Sequence, residues 1–118
     1  MNDTVRQDPD AGPVVLISGG SRGLGLSLVD KFLKHGCRVA TFSRSKTAEI
    51  EERESRHGQN QGGRFLWFQA DGAEENDVRD AVRAVVKAWS RIDILINNAG
   101  TGSDGLLALQ RMTDIDRL

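Results

Sequence analysis

Apolar residues along this 118-residue chain fall into two rhythms that alternate from Val14 onward. Short unbroken runs, Val14-Val15-Leu16-Ile17, Phe65-Leu66-Trp67-Phe68 and Ile94-Leu95-Ile96, predict strands, and the first, β-branched at three of four positions, reads as buried on both faces. Residues 38–42 predict a further short strand, second in chain order. Between the runs the apolar positions step by three and four. Leu24, Leu28 and Phe32, with Leu26, Val29 and Leu33, predict a one-sided helix over residues 24–35 that Gly36 caps. Val78, Ala81, Val82, Val85, Val86 and Trp89 mark the best-patterned helix, whose broad stripe suits a sheet face. Residues 47–57 are charged, with Ile50 the one large apolar side chain, and predict a surface helix followed by a loop over 58–63. The order β-α-β-α-β-α-β predicts an α/β fold, a parallel sheet covered on both faces through right-handed crossovers.

Composition narrows this picture. Sixteen Lys and Arg against 17 Asp and Glu leave a formal charge of −1, which excludes a polybasic nucleic-acid or membrane-surface binder. The 38% apolar share is too high for a disordered tail, and no apolar run approaches the ~20 residues of a membrane span. Residues 1–12 are polar and acidic, lack the basic start and apolar core of a signal peptide, and read as a flexible leader. A single cysteine, Cys37, can make neither an internal disulfide nor a Cys-based zinc site, and predicts a reducing, cytoplasmic setting with the thiol as a small buried hydrophobe. His35 and His57 have no partner at metal spacing and read as surface histidines, so no metal site is expected. Trp67 and Trp89 fall on core-facing positions. The 13 glycines exceed the ~8 of average usage, and tyrosine is absent.

In a parallel sheet of this kind, ligands bind beyond the carboxyl ends of the strands. The first such end is Ser18-Gly19-Gly20-Ser21-Arg22-Gly23-Leu24-Gly25. Glycines there let the backbone turn sharply and approach a ligand, and the helix that follows offers free N–H groups and its positive dipole end to a phosphate. The spacing is G-x-x-x-G-x-G, distinct from both G-x-G-x-x-G and the P-loop. A strand-to-helix turn without a ligand is the plainer alternative. At the second end, Ser43-Arg44 stands nineteen residues beyond Gly25, with no acid between Val39 and Thr47. A carboxylate at that distance would hold a ribose 2′-hydroxyl; an arginine accommodates a 2′-phosphate. Arg22 lies in reach of the same group, so the pair favours NADP(H) over NAD(H). Two ordinary solvated arginines are the competing reading.

The third end, Asp71-Gly72, can accept from and donate to an adenine edge, but Asp71 equally suits a cap on the helix that carries Val78. At the fourth, Asn97-Asn98-Ala99-Gly100, two amides can tie strand ends together while small residues leave room for a ribose and nicotinamide.

Together these residues resemble the short-chain dehydrogenase/reductase family: the Gly19–Gly25 turn with Arg22, Ser43-Arg44, Asp71, and Asp93-Ile94-Leu95-Ile96-Asn97-Asn98-Ala99-Gly100. The wording is most similar to the 3-oxoacyl-acyl-carrier-protein reductase branch, over residues 13–118, with Ser18 where the family usually has threonine. The resemblance implies a Rossmann-type doubly wound sheet, a seven-stranded one in the family, and hydride transfer between NAD(P)(H) and a carbonyl or alcohol. It implies that Gly19, Gly20, Ser21, Arg22, Gly23, Leu24 and Gly25 wrap the pyrophosphate and adenosine ribose. Arg22 and Arg44, the latter preceded by the cofactor-binding Ser43, would take the 2′-phosphate, Asp71 and Gly72 the adenine, and Asn98, Ala99 and Gly100 the ribose and nicotinamide side. The family's catalytic half has no counterpart here. Its proton donor is the Tyr of a Tyr-x-x-x-Lys pair, and this chain has no Tyr, so no catalytic residue is assigned.

Residues 112–118 read as the start of a fourth helix. The expected organisation is therefore a leader over 1–12 and, over 13–118, an incomplete domain truncated after the fourth strand and the start of that helix. An exposed apolar edge is expected on the strand Ile94-Leu95-Ile96, where a fifth strand would pair. The 118-residue chain is expected to be inactive alone, and the full-length enzyme to be a homodimer or homotetramer acting on a small molecule, with no nucleic-acid or membrane partner. The alternative is a non-catalytic dinucleotide sensor or partner subunit. An S-adenosylmethionine-dependent methyltransferase ranks below both, because it wants an acid where Ser43-Arg44 stands.

Overall fold

The first strand, β1 (Val14–Ser18), is buried along its whole length, as its unbroken apolar run predicts. Helix α1 (Gly23–Lys34) follows, then β2 (Arg38–Ser43), α2 (Ala48–His57), β3 (Phe65–Gln69), α3 (Glu75–Trp89) and β4 (Ile94–Asn97), closing with the short β5 (Ala108–Arg111). This is a computed structural model that describes residues 12–58 and 63–98 and the backbone of 108–111. The strands lie in the order β3-β2-β1-β4-β5, and the first four are mutually parallel. The chain winds outward from β1 to β3 and then crosses back to β4, so strand order reverses between β1 and β4. That reversal opens a crevice at their carboxyl ends.

Alternation along β1 sends its residues to two cores. Val14 and Leu16 join Phe42, Ala81, Val85, Trp89 and Ile92 under α3, while Val15 and Ile17 join Val29, Leu33, Val39, Ile50 and Phe65 under α1 and α2. Burying each side chain of this size contributes roughly 1.5–3 kcal/mol. The α3 stripe is as expected: Ala81, Val85 and Trp89 are buried and Val78, Val82 and Val86 pack beside them. On α1 the inward face is Gly25, Val29 and Leu33, with Leu28 and Phe32 half-buried. Leu24, in the first turn of α1, departs from the expected stripe and is 54% exposed, because the buried face of the helix runs through Gly25, Val29 and Leu33. Gly36 follows the α1 cap His35 as expected, with a positive φ of 87°.

Two details correct the sequence reading. Asp71 does not cap α3: the cap position is Glu74, and the Asp71 carboxylate instead accepts the Ala73 N–H at 2.9 Å. Asp77, inside α3, reaches back to accept the Asp71 N–H at 2.8 Å. The expected bare edge on β4 is also absent, because β5 pairs with it antiparallel, Ile96 opposite Leu109. Ala-Leu-Gln-Arg carries neither β-branched residues nor alternation, so the partner strand supplies the order that local propensity does not. Of the expected leader over 1–12 only Gly12 is described, and the helix start at 112–118 lies outside the described residues.

Candidate functional site

At the carboxyl end of β1 the chain must stop being a strand and enter α1 within four residues. Gly19 does this with φ at +72°, a conformation side chains disfavour, and its N–H donates to the Phe42 carbonyl at 2.9 Å. The Gly20 N–H donates to the buried hydroxyl of Thr41 at 2.9 Å, and that hydroxyl donates to the Ile17 carbonyl at 2.6 Å. Thr41 thus locks the turn to β2. Gly25 permits the first turn of α1 to rest on the loop: a Cβ there would lie 2.1 Å from the Gly19 oxygen and 2.6 Å from Asn98 Nδ2.

The expected tie between strand ends is present. Asn98 donates through Nδ2 to the Gly19 carbonyl at 3.1 Å, and through its backbone N–H to Ser18 Oγ at 2.8 Å. Ser18 Oγ in turn donates to Asn97 Oδ1 at 3.0 Å. The hydroxyl that replaces the family's usual threonine therefore bridges β1 to β4.

Arg22 occupies the cap position of α1 in an extended conformation, but no side chain caps the helix and its first turn holds no acid. The uncapped N–H groups and the positive dipole end remain open to an anion. They border a cleft of about 600 Å³. Gly19, Ser21 and Arg22 line it from the turn; Phe42, Ser43, Arg44, Ser45 and Thr47 from the end of β2; Ala70, Asp71, Gly72 and Ala73 from the end of β3; Asn98 from the end of β4. Of the sequence-predicted residues, Gly19, Ser21, Arg22, Ser43, Arg44, Asp71, Gly72 and Asn98 are brought together here. Gly20 and Gly25 lie buried beneath the turn, Gly23 opens the helix, and Leu24 projects to solvent, so none of the four lines the cleft. Ala99 and Gly100 lie outside the described residues.

Among the described residues, the charge pattern of the cleft is two guanidinium groups, Arg22 and Arg44, against one carboxylate, Asp71. Both arginines are exposed and neither is paired with a described side chain. Asp71 is half-buried, with one oxygen held by Ala73. Such a site can take phosphates at the helix end and at the arginines. Gly25 lets α1 pack closely beneath the glycine turn that borders this cleft.

Two functional neighbours escaped sequence reasoning. Thr41 looks like an ordinary strand residue, and only its pairing with Ile17 shows the anchoring role. Thr47 precedes a helical stretch, the usual signal of an N-cap, and it accepts the Ile50 N–H at 3.3 Å. Its second bond, to the Ser21 carbonyl at 3.0 Å, joins α2 to the glycine turn and has no local signature.

At the opposite end of the sheet, Asp93 accepts from the Val14 N–H at 2.8 Å and from Arg91. Burial pushes its carboxyl up, but the bonds from Arg91 and Val14 outweigh this and hold it below its ordinary value. Burial raises the Cys37 thiol. Trp89 is in the core as expected, whereas Trp67 is only half-buried and donates to Ser43 Oγ at 2.8 Å. Among the described residues no group of three or more His, Cys, Asp and Glu could hold a metal ion, and no helix is long and apolar enough to cross a membrane.

A family model described as short chain dehydrogenase matches residues 13–118. The chain is 35% identical over 105 residues to the 3-oxoacyl-[acyl-carrier-protein] reductase of Chlamydia pneumoniae, covering 89% of this chain and 41% of that protein. It is 32% identical over 93 residues to mouse 15-hydroxyprostaglandin dehydrogenase [NAD(+)], covering 79% and 35%. Among solved structures, the 3-ketoacyl-(acyl-carrier-protein) reductase of Brucella melitensis complexed with NADH superposes with a TM-score of 0.65 at 36% identity, covering 77% of this chain and 35% of that one. This chain thus spans about two fifths or less of the length of these relatives. With the glycine turn, the β3-β2-β1-β4 order and the bridged strand ends all inside the matched region, the chain belongs to the short-chain dehydrogenase family.

Proposed function

We propose that this chain is the NADP(H)-binding portion of an oxidoreductase that transfers hydride between NADP(H) and a small carbonyl or alcohol substrate. One observation carries the cofactor assignment: Arg22 and Arg44 share a cleft with an uncapped helix N-terminus, and no carboxylate stands at the end of β2. A 2′-phosphate would be repelled by an acid there and is paired by a guanidinium. The glycine turn over Gly19–Gly25 would wrap the pyrophosphate, with Gly20 and Gly25 shaping it from beneath. Arg44 and Arg22 would hold the 2′-phosphate, with Ser43 beside them. Asp71 and Gly72 would meet the adenine, and Asn98, Ala99 and Gly100 the ribose and nicotinamide side. The nicotinamide, when bound, supplies the hydride chemistry, while the residues of this chain bind and orient.

Relatives named for NAD(+) or solved with NADH belong to the same family, so the preference for NADP(H) rests on the two arginines of this chain. We read residues 1–12 as a leader and 13–118 as the nucleotide-binding part of a single domain, incomplete by comparison with its relatives. The chain holds no tyrosine and so lacks the family's proton donor, which makes the 118 residues inactive alone. The single free and buried Cys37 accords with a cytoplasmic setting, and the whole protein is read as a homodimer or homotetramer.

Isothermal titration with NADPH and NADH tests the assignment. Charged hydrogen bonds to one extra phosphate predict NADPH binding roughly ten- to a hundredfold tighter. Tighter binding of NADH would overturn it, and NADPH-dependent carbonyl reduction by the pure chain would overturn the predicted inactivity.

A further inference from the structure

Arg44 lies in the short connection between β2 and α2, and its neighbours there are tied down in a way that its own side chain is not. Ser43 Oγ donates to the Ser45 carbonyl at 2.9 Å and accepts from the Trp67 indole N–H at 2.8 Å. The Arg44 carbonyl accepts from Gln69 Nε2 at 3.2 Å. Lys46 lies 5.0 Å from the centroid of the Trp67 ring and pairs with Glu54 at 2.8 Å. Thr47 closes the segment through its bonds to Ser21 and Ile50. Only the Arg44 guanidinium, exposed and unpaired among the described side chains, remains to be ordered by a ligand.

We propose that Trp67 and Gln69 on β3 are positioning residues for recognition of a 2′-phosphate, holding the Arg44 backbone in the geometry that recognition needs. Neither residue lines the cleft, so each acts through the loop it holds. The sheet places them for this. Trp67 is registered opposite Thr41 and Gln69 opposite Ser43, and residues two apart on a strand share a face. That face is the α1 and α2 side, where Trp67 packs. Tryptophan joins an N–H donor to a broad π face, which lets one side chain serve Ser43 and Lys46 together. Fixing a loop before the ligand arrives removes an ordering cost from binding. The benefit falls on the nucleotide that Arg44 engages most strongly. The proposal rests on the NADP(H) reading given above.

The test is titration of the 118-residue chain and its variants with NADPH and with NADH. Trp67→Phe keeps an aromatic ring and loses the N–H donor. Gln69→Glu keeps the shape and sets an oxygen against the Arg44 carbonyl; Gln69 is exposed on an edge strand, so this variant folds even where Trp67→Phe does not. Each substitution is expected to weaken NADPH about three- to tenfold while NADH changes less than about twofold. In an Arg44→Ala background the same substitutions are expected to have no further effect on NADPH, an outcome that general loosening of the fold would not produce. Equal losses for both nucleotides, or no loss for either, would overturn the proposal with the NADP(H) reading intact. An unmodified chain that does not prefer NADPH would overturn both.

Discussion

At the amino ends of the strands, three arginines are held by partners within the protein. Arg38 is buried, donates to the Gly12 carbonyl at 3.0 Å and lies 5.9 Å from the centroid of the Trp89 ring. Arg64 donates to the carbonyls of Leu33 and Cys37, closing the end of α1, and Arg91 pairs with Asp93. At the carboxyl ends, Arg22 and Arg44 are exposed, pair with no described side chain, and face a cleft at an uncapped helix. The residue type and charge are the same, yet one set completes the fold and the other is left for a ligand. A guanidinium whose bonds are already made inside the protein contributes to stability; one without them can bind a phosphate.

This contrast has measurable edges. The largest expected effect is from Arg44→Asp, which sets a carboxylate where the 2′-phosphate would lie. NADPH affinity should fall about a hundredfold, or about 2–3 kcal/mol, while the melting temperature stays near that of the parent chain. Arg38→Met should do the reverse. Unpairing the Gly12 carbonyl and unpacking Trp89 should cost about 1–3 kcal/mol in urea unfolding, with the ratio of NADPH to NADH affinity unmoved. A shift in that ratio would break the contrast.

Asp93 gives a smaller effect that depends on pH. Its folded pKa lies below the ordinary 3.8, so its contribution is present above that value and is lost as pH falls through the folded one. Asp93→Asn should flatten the fall in melting temperature on acidification below about pH 4 and retain an acceptor for Val14. The smallest effect belongs to Arg79→Ala, which removes an exposed pair with Glu75 one turn away in α3. That should cost no more than about 0.5 kcal/mol by thermal unfolding and leave both nucleotides bound as before.

Much of this was legible in the chain because it depends on near neighbours. The buried run of β1, the stripe of α3 and the glycine that ends α1, Gly36, are set by side chains within a few residues of one another. Leu24 is exposed because the two apolar rows of α1 are one residue apart, and only packing decides that the Gly25, Val29 and Leu33 row faces the core. Of the two roles open to Asp71, the helix cap is excluded by contacts just as specific to the fold. Its carboxylate found a partner two residues on, before the helix began, and Asp77 took its N–H from inside α3. β5 had no local signal at all; it exists by pairing with β4.

The sequence by itself determined the alternation of strands and helices, the glycine turn that follows β1, the arginine rather than an acid at the end of β2, and the absence of a tyrosine. Each is a matter of residue identity, spacing or short-range periodicity. Only the tertiary structure decided which arginines are already engaged, and that Ser18 and Asn98 join two strands from positions 80 residues apart. It alone showed that Trp67 reaches Ser43 across 24 residues and that Thr41 anchors the turn. Hydrogen bonds between such distant positions depend on register and strand order, which no local pattern encodes.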